Sequence, residues 1–172
     1  MRKVLFQLVI ALVASAILGL ALANGAKARE MIPFAESYYP GTVIIKTKQR
    51  RLYYVLGNGY AIRYPVGVGR AGQQWAGVSY IDGKYVEPDW AAPPVMRRDP
   101  SQPPQVIPGG SPQNPMGVAA LTLTGGEYAI HGTNRPESVG GFVSSGCIRM
   151  LNQDVVDLYQ RVAVGTPVVV MR

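Results

Sequence analysis

The chain has 172 residues, 48% of them hydrophobic, with 17 Lys and Arg against 10 Asp and Glu, a net charge of +7. That length holds one domain plus a short leader and can bury a real core. No dense basic run is interleaved with aromatics, which argues against nucleic-acid binding, and the pairs Arg50-Arg51 and Arg97-Arg98 read as solvated charge.

Arg2 and Lys3 open the chain, and an uncharged, mostly apolar run follows over 4–23. These are the n-region and h-region of a secretory signal. Ala21-Leu22-Ala23 and Ala26-Lys27-Ala28 are both small-x-small cleavage sites, and residues 1–28 are assigned as the signal peptide. The run is also near the lower length limit for a spanning helix, so an uncleaved N-terminal membrane anchor is the alternative. Without a cysteine, this segment cannot be processed as a lipoprotein. Cleavage after Ala28 would remove Arg2, Lys3 and Lys27, leaving 14 basic against 10 acidic residues, or +4. That excess suits an anionic envelope surface. The remainder is expected outside the cytoplasm, in the periplasm or cell envelope.

Residues 29–40 read as a linker or a loosely docked arm. Strands are expected over 42–47, where Val43, Ile44 and Ile45 have high β propensity, and over 51–56, where Leu52, Tyr54 and Leu56 share a face. Gly57-Asn58-Gly59 turns the chain into a third strand over 60–68. Strands over 75–81 and 84–86 flank Asp82-Gly83, a turn dipeptide. From 87 to 115 the prolines argue against regular structure. A structureless stretch of that length is uncommon in a compact domain unless it is functional. Because Trp90 and Met96 favour burial, the segment is expected to form a wall or lid beside a groove. Strands over 118–124 and 128–131 surround Gly125-Gly126 and leave His131 at a strand end. Asn152 is expected to cap a helix over 153–162 with Val155, Leu158, Tyr159 and Val162 on one face. Gly165 ends it, and Pro167–Met171 suits a last buried strand. The fold class is mainly β with one short helix.

The chemistry concentrates in His131 to Met150, which carries the only histidine and the only cysteine. A thiol is a strong nucleophile as thiolate, and a nearby imidazole can take its proton. Most lone cysteines and histidines are structural. Against that, a free thiol is an oxidation liability in an exported chain. The setting Ser144-Ser145-Gly146-Cys147 also suits a sharp turn whose N–H groups are free to hold an oxyanion. Cys147 is the candidate nucleophile and His131 the candidate base, with the N–H groups of Ser145, Gly146 and Cys147 as the oxyanion hole. Arg149 either binds a substrate carboxylate through its fork or forms a structural salt bridge. No Asp or Asn is placed to orient the imidazole. One His and one Cys do not make a zinc site, so no metal or other cofactor is expected.

His131-Gly132 followed by Ser144-Ser145-Gly146-Cys147-Ile148-Arg149 resembles the signature of the L,D-transpeptidase catalytic domain (YkuD type). The likeness runs over 41–172 and takes in Pro88-Asp89-Trp90, Gly109-Gly110 and Asn114-Pro115-Met116-Gly117. It implies a β-sandwich with a mixed sheet and cross-linking or decoration of bacterial peptidoglycan. It also implies that the backbone carbonyl of Gly132 orients the His131 ring. The donor would be a tetrapeptide stem, cleaved between the L-centre of diaminopimelate and terminal D-Ala. The acceptor would be another stem amine, giving a 3→3 cross-link, or an envelope protein. Water as acceptor gives L,D-carboxypeptidase activity. Many members carry a second histidine where Ser145 stands, which leaves His131 as the only imidazole here.

Sortase-type transpeptidases share the order His, Cys, Arg but lead their cysteine with threonine and space the pair more widely. NlpC-type peptidases place the cysteine first. A non-catalytic wall-binding module is the remaining alternative, and the intact His and Cys argue against it.

Overall fold

The computed structural model describes residues 29–93, 97–99, 101–125 and 128–172. The expected signal peptide or anchor over 1–28 lies outside them, as does Met96. The strands in chain order are β1 (Glu30–Pro33), β2 (Val43–Lys46), β3 (Arg51–Gly57), β4 (Tyr60–Pro65), β5 (Val68–Gly69), β6 (Gly77–Val86), β7 (Trp90–Ala91), β8 (Val106–Ile107), β9 (Ala119–Leu123), β10 (Ala129–His131), β11 (Phe142–Ser144) and β12 (Ile148–Arg149). Then come the helix Asn152–Arg161 and β13 (Pro167–Met171).

Nine strands form one ladder in the order β1-β4-β3-β2-β13-β6-β9-β10-β12. It is mixed, because β13 runs parallel to β2 and β12 parallel to β10 while the other neighbours are antiparallel. The long β6 is the joint. Its first half pairs with β13 and its second with β9, the register shifting between Ile81 and Gly83. The two sections share one core. Val43, Ile45, Leu52 and Tyr64 from one side cluster with Leu121, Leu123 and Ile130 from the other, and with Val155, Leu158 and Val162 of the helix. Among the described residues the architecture is mainly β with one α-helix and a mixed sheet, as expected.

Asp82-Gly83 departs from expectation. Instead of turning the chain between two strands, it sits at the register shift inside the continuous β6. A Cβ at Gly83 would lie 2.6 Å from Thr122 Oγ1 and from a Tyr85 ring carbon, so the glycine permits close approach rather than reversal. The 29–40 segment is likewise no free linker. β1 adds an edge strand to β4, and Phe34 N–H donates to the Gly59 carbonyl at 2.7 Å. Phe34 closes a second apolar cluster with Ile44, Tyr53, Val55 and Ala61 on the outer face of the sheet. Burial of that ring is what docks the arm.

The helix begins one residue early. Leu151 occupies the N-cap position with no side-chain cap, and Asn152 is the first helical residue. The Asn152 carboxamide is occupied elsewhere, its Oδ1 accepting the Thr133 N–H at 2.9 Å.

The helix is tied to the sheet through Tyr64, whose fully buried ring sends its hydroxyl to Asp157 Oδ2 at 2.5 Å. Arg161 holds the same carboxylate through Nε at 2.9 Å and Nη2 at 3.0 Å. Hydrogen bonds to charged groups contribute about 1.5–3 kcal/mol. Tyr64→Phe should therefore lower the unfolding free energy by about that amount in a urea titration. An unchanged midpoint would mean that Arg161 alone secures Asp157.

Candidate active site

The parallel pairing of β10 with β12 builds the site. Ile130 pairs with Ile148 and His131 with Arg149, and Met150 N–H donates to the His131 carbonyl at 2.8 Å. Cys147 immediately precedes β12, so the register continued by one step sets it beside Ala129. Ala129 and His131 share a face of their strand because side chains alternate. The histidine at the strand end and the cysteine at the strand start are thereby brought to one cavity of about 290 Å³.

His131 is 4% exposed. Its Nδ1 lies 2.7 Å from the Gly132 carbonyl oxygen. A carbonyl only accepts, so Nδ1 carries the proton and Nε2 is the free base. Burial pushes the imidazole pKa down to about 4, against the Gly132 carbonyl, which favours the cation; the Arg149 charge lowers it further and the Met116 backbone partly offsets this. Cys147 is a free, partly buried thiol. Burial pushes its pKa up, while the Ala129 backbone N–H and the Arg149 charge favour the thiolate. Burial thus disfavours the charged form of both groups.

The loop before Cys147 is held from three sides. Ser144 Oγ accepts the Gly146 N–H at 3.1 Å and donates to the Cys147 carbonyl at 2.6 Å. Trp75 Nε1 donates to the Gly146 carbonyl at 3.0 Å, and its ring stacks on Tyr128 at 4.9 Å with 6° between planes. Gly146 has φ 130°, and a Cβ there would meet the Tyr128 ring at 2.2 Å. Only glycine fits. Of the three N–H groups assigned to an oxyanion hole, that of Gly146 is committed to Ser144. Those of Ser145 and Cys147 donate to no group among the described residues.

Arg149 has no carboxylate within ion-pair distance among the described residues. One guanidinium nitrogen donates to Ser138 Oγ at 3.0 Å, and the buried Nε has no partner. Burial and the neighbouring Arg135 charge push its pKa down. Of the two readings open from sequence, the salt bridge finds no partner among the described residues.

The Pro-rich 87–115 segment supplies a wall. Trp90 pairs with Ile107 and Ala91 with Val106, making a short hairpin, and Trp90 and Pro93 face the cavity that holds Cys147. Its root is clamped by Asn114, 1% exposed, whose Nδ2 reaches the carbonyls of Pro88 (2.8 Å), Pro108 (3.1 Å) and Ile107 (3.2 Å). Asn114 Oδ1 accepts the Met116 N–H at 2.9 Å, which fixes the residue beside His131. Ser144, Trp75, Asn114 and the cavity-lining Arg70 carry no local sequence signal for these roles. Only the Ser-rich turn hinted at the first. Among the described residues no three His, Cys, Asp or Glu side chains gather as a metal site.

A family model described as the L,D-transpeptidase catalytic domain, YkuD, matches residues 40–170. The chain is 37% identical over 141 residues to the probable L,D-transpeptidase YbiS of Escherichia coli, an alignment covering 77% of this chain and 45% of that protein. It is 37% identical over 145 residues to the putative L,D-transpeptidase YqjB of Bacillus subtilis, covering 80% and 76% respectively. The chain thus spans less than half the length of the Escherichia coli relative. Among solved structures, L,D-transpeptidase 3 from Mycobacterium tuberculosis superposes with TM-score 0.60 at 18% identity, over 76% of this chain and 60% of that one. The catalytic domain of the Enterococcus faecium L,D-transpeptidase gives TM-score 0.58 at 18% identity, over 78% of this chain and 100% of that one. These two likenesses speak to the fold alone. The sequence matches carry the assignment: the chain belongs to the L,D-transpeptidase catalytic domain family of the YkuD type.

Proposed function

We propose that this protein is an exported peptidoglycan L,D-transpeptidase that works through a thioester on Cys147. The supporting observation is the single cavity that holds the chain's only cysteine and only histidine, with the His131 ring fixed at Nδ1 by Gly132 so that Nε2 is free to accept a proton. In this reading Cys147 Sγ attacks the L-centre carbonyl of diaminopimelate while His131 Nε2 takes the thiol proton. The C–N bond to terminal D-Ala breaks, and the proton passes to the departing amine. The Ser145 and Cys147 N–H groups receive the oxyanion. An amine of a second stem peptide, or of an envelope protein, then attacks the thioester, loses its proton to His131 and displaces the thiol. Arg149, at the cavity wall and with no carboxylate within ion-pair distance among the described residues, takes a substrate carboxylate. Water in place of the amine gives L,D-carboxypeptidase activity. Export rests on the leader over 1–28, retained as an anchor or removed.

Mass spectrometry of the protein from Arg29 onward with a purified diaminopimelate-containing tetrapeptide stem tests this directly. Dimers that have lost one D-Ala are expected, with none from Cys147→Ala. Tripeptide alone would assign the carboxypeptidase, and full turnover by Cys147→Ala would overturn the thioester.

The pH profile has a defined sign. Protonated His131 cannot accept the thiol proton, so the acylation rate should fall as pH drops through about 4 rather than through the ordinary imidazole value. The same depressed pKa acts on stability. Between about 6.5 and 4 the unfolded chain binds a proton that the folded one does not, so stability falls with falling pH, by roughly 3 kcal/mol over the window. Urea titrations of wild type and His131→Gln at both ends of that window should differ by this slope. Parallel behaviour would place the acid sensitivity elsewhere.

A further inference from the structure

The cavity around Cys147 carries two arginines and no carboxylate on its walls. Arg149 accounts for one. The other, Arg70, enters from β5, which pairs parallel with β11 beside the catalytic loop. Gly67 and Arg149 exchange backbone hydrogen bonds at 2.7 and 2.8 Å, and three residues later Arg70 N–H donates to the Ser144 carbonyl at 3.0 Å. At about 3.3 Å per extended residue the two arginines are anchored about 10 Å apart. They take opposite flanks of the nucleophile: Arg149 follows Cys147 and reaches Ser138, whereas Arg70 reaches Ser145 Oγ at 3.2 Å.

Like Arg149, Arg70 has no carboxylate within ion-pair distance among the described residues. Its guanidinium is tied on one side to a neutral hydroxyl, with its remaining donors available. Arg70 is exposed and Arg149 half-buried, and a ligand with two carboxylates can meet both at this one cavity. Anchored about 10 Å apart on different segments, a span of about three residues of extended peptide, the two side chains can each meet a separate carboxylate of one ligand at this cavity.

Resting on the acyl-transfer reading of Cys147, we propose that Arg70 is a specificity-determining residue that binds a second donor carboxylate, on the acyl part of the stem that stays with the enzyme. Arg149 then takes the carboxylate of the D-Ala that leaves. On a stem peptide the retained carboxylate belongs to the D-centre of diaminopimelate or to the preceding D-glutamyl residue. Its chemistry at Arg70 is the same in either case. Amidation of that carboxylate removes the charge and half of the fork's acceptors, so amidated stems are poor donors for this enzyme.

The test compares three tetrapeptide donors: unmodified, amidated at the D-centre of diaminopimelate, and amidated at the D-glutamyl α-carboxylate. The readouts are the mass of acylated Cys147 and kcat/KM. Wild type should lose roughly 10- to 100-fold on one of the two amidated donors, the scale of one charge-assisted hydrogen bond. Which donor loses identifies the carboxylate. Arg70→Gln should lose a similar factor on the unmodified donor and little on that amidated one, and Arg70→Lys, which keeps the charge, should retain most of the preference. Equal rates of wild type on all three donors, or a uniform loss in Arg70→Gln across them, would overturn the assignment while leaving the thioester intact. No acylation of Cys147 by any donor would instead count against the acyl-transfer reading beneath it.

Discussion

The pairing of β10 with β12 is the constraint on which the site depends. Two short parallel strands, three and two residues long, carry the histidine at the exit of one and the cysteine at the entry of the other. Parallel strands cannot be joined by a tight turn. The 132–147 excursion between them is the required crossover, and its return leg lays down β11 and the catalytic loop. The juxtaposition of Cys147 and His131 thus follows from strand register. A slip of one residue in this pair would turn either His131 or Cys147 to the opposite face.

Burial sets the electrostatics of that pair. Both groups sit where charge is costly, so His131 is driven toward the neutral base and Cys147 toward the neutral thiol. Among the described residues the formal charges on the cavity wall are those of Arg70 and Arg149, and they favour an anion there. Ser144 has a second consequence. By occupying the Gly146 N–H and the Cys147 carbonyl together it fixes the peptide planes around Cys147.

Much of this was legible from residues whose signal is local. The strands at 42–47 and 51–56, the turn Gly57-Asn58-Gly59, the last strand at Pro167–Met171 and the strand end at His131 all follow from β propensity and local turn chemistry. What was illegible depends on partners distant in sequence. Asp82-Gly83 has turn chemistry, but the alternation running through β6 and the close approach of Thr122 keep it extended. Asn152 has cap chemistry, but the Thr133 N–H claims its side chain. Residues 29–40 look like linker because Pro33 and Pro40 interrupt them, yet Phe34 meets a sheet face that exists only once β2, β3 and β4 are assembled. Arg70 carries no signal at all, since its place beside Ser145 is a product of β5 lying against β11.

The position of β13 governs the order in which the molecule can form. It lies between β2 and β6, with Thr47 hydrogen-bonded to the Met171 carbonyl across 124 positions of sequence. Until residues 167–171 have been synthesised, the β1–β4 meander and the β6–β12 section have no shared backbone ladder, and the core between them stays open on one side. Contacts of such separation form slowly because loop closure must precede them. A growing chain therefore holds an incomplete sheet until β13 has emerged, and closes it only then. A nascent chain stalled before β13 should consequently be sensitive to protease at the β2 and β6 edges, even with every residue of the catalytic loop already made.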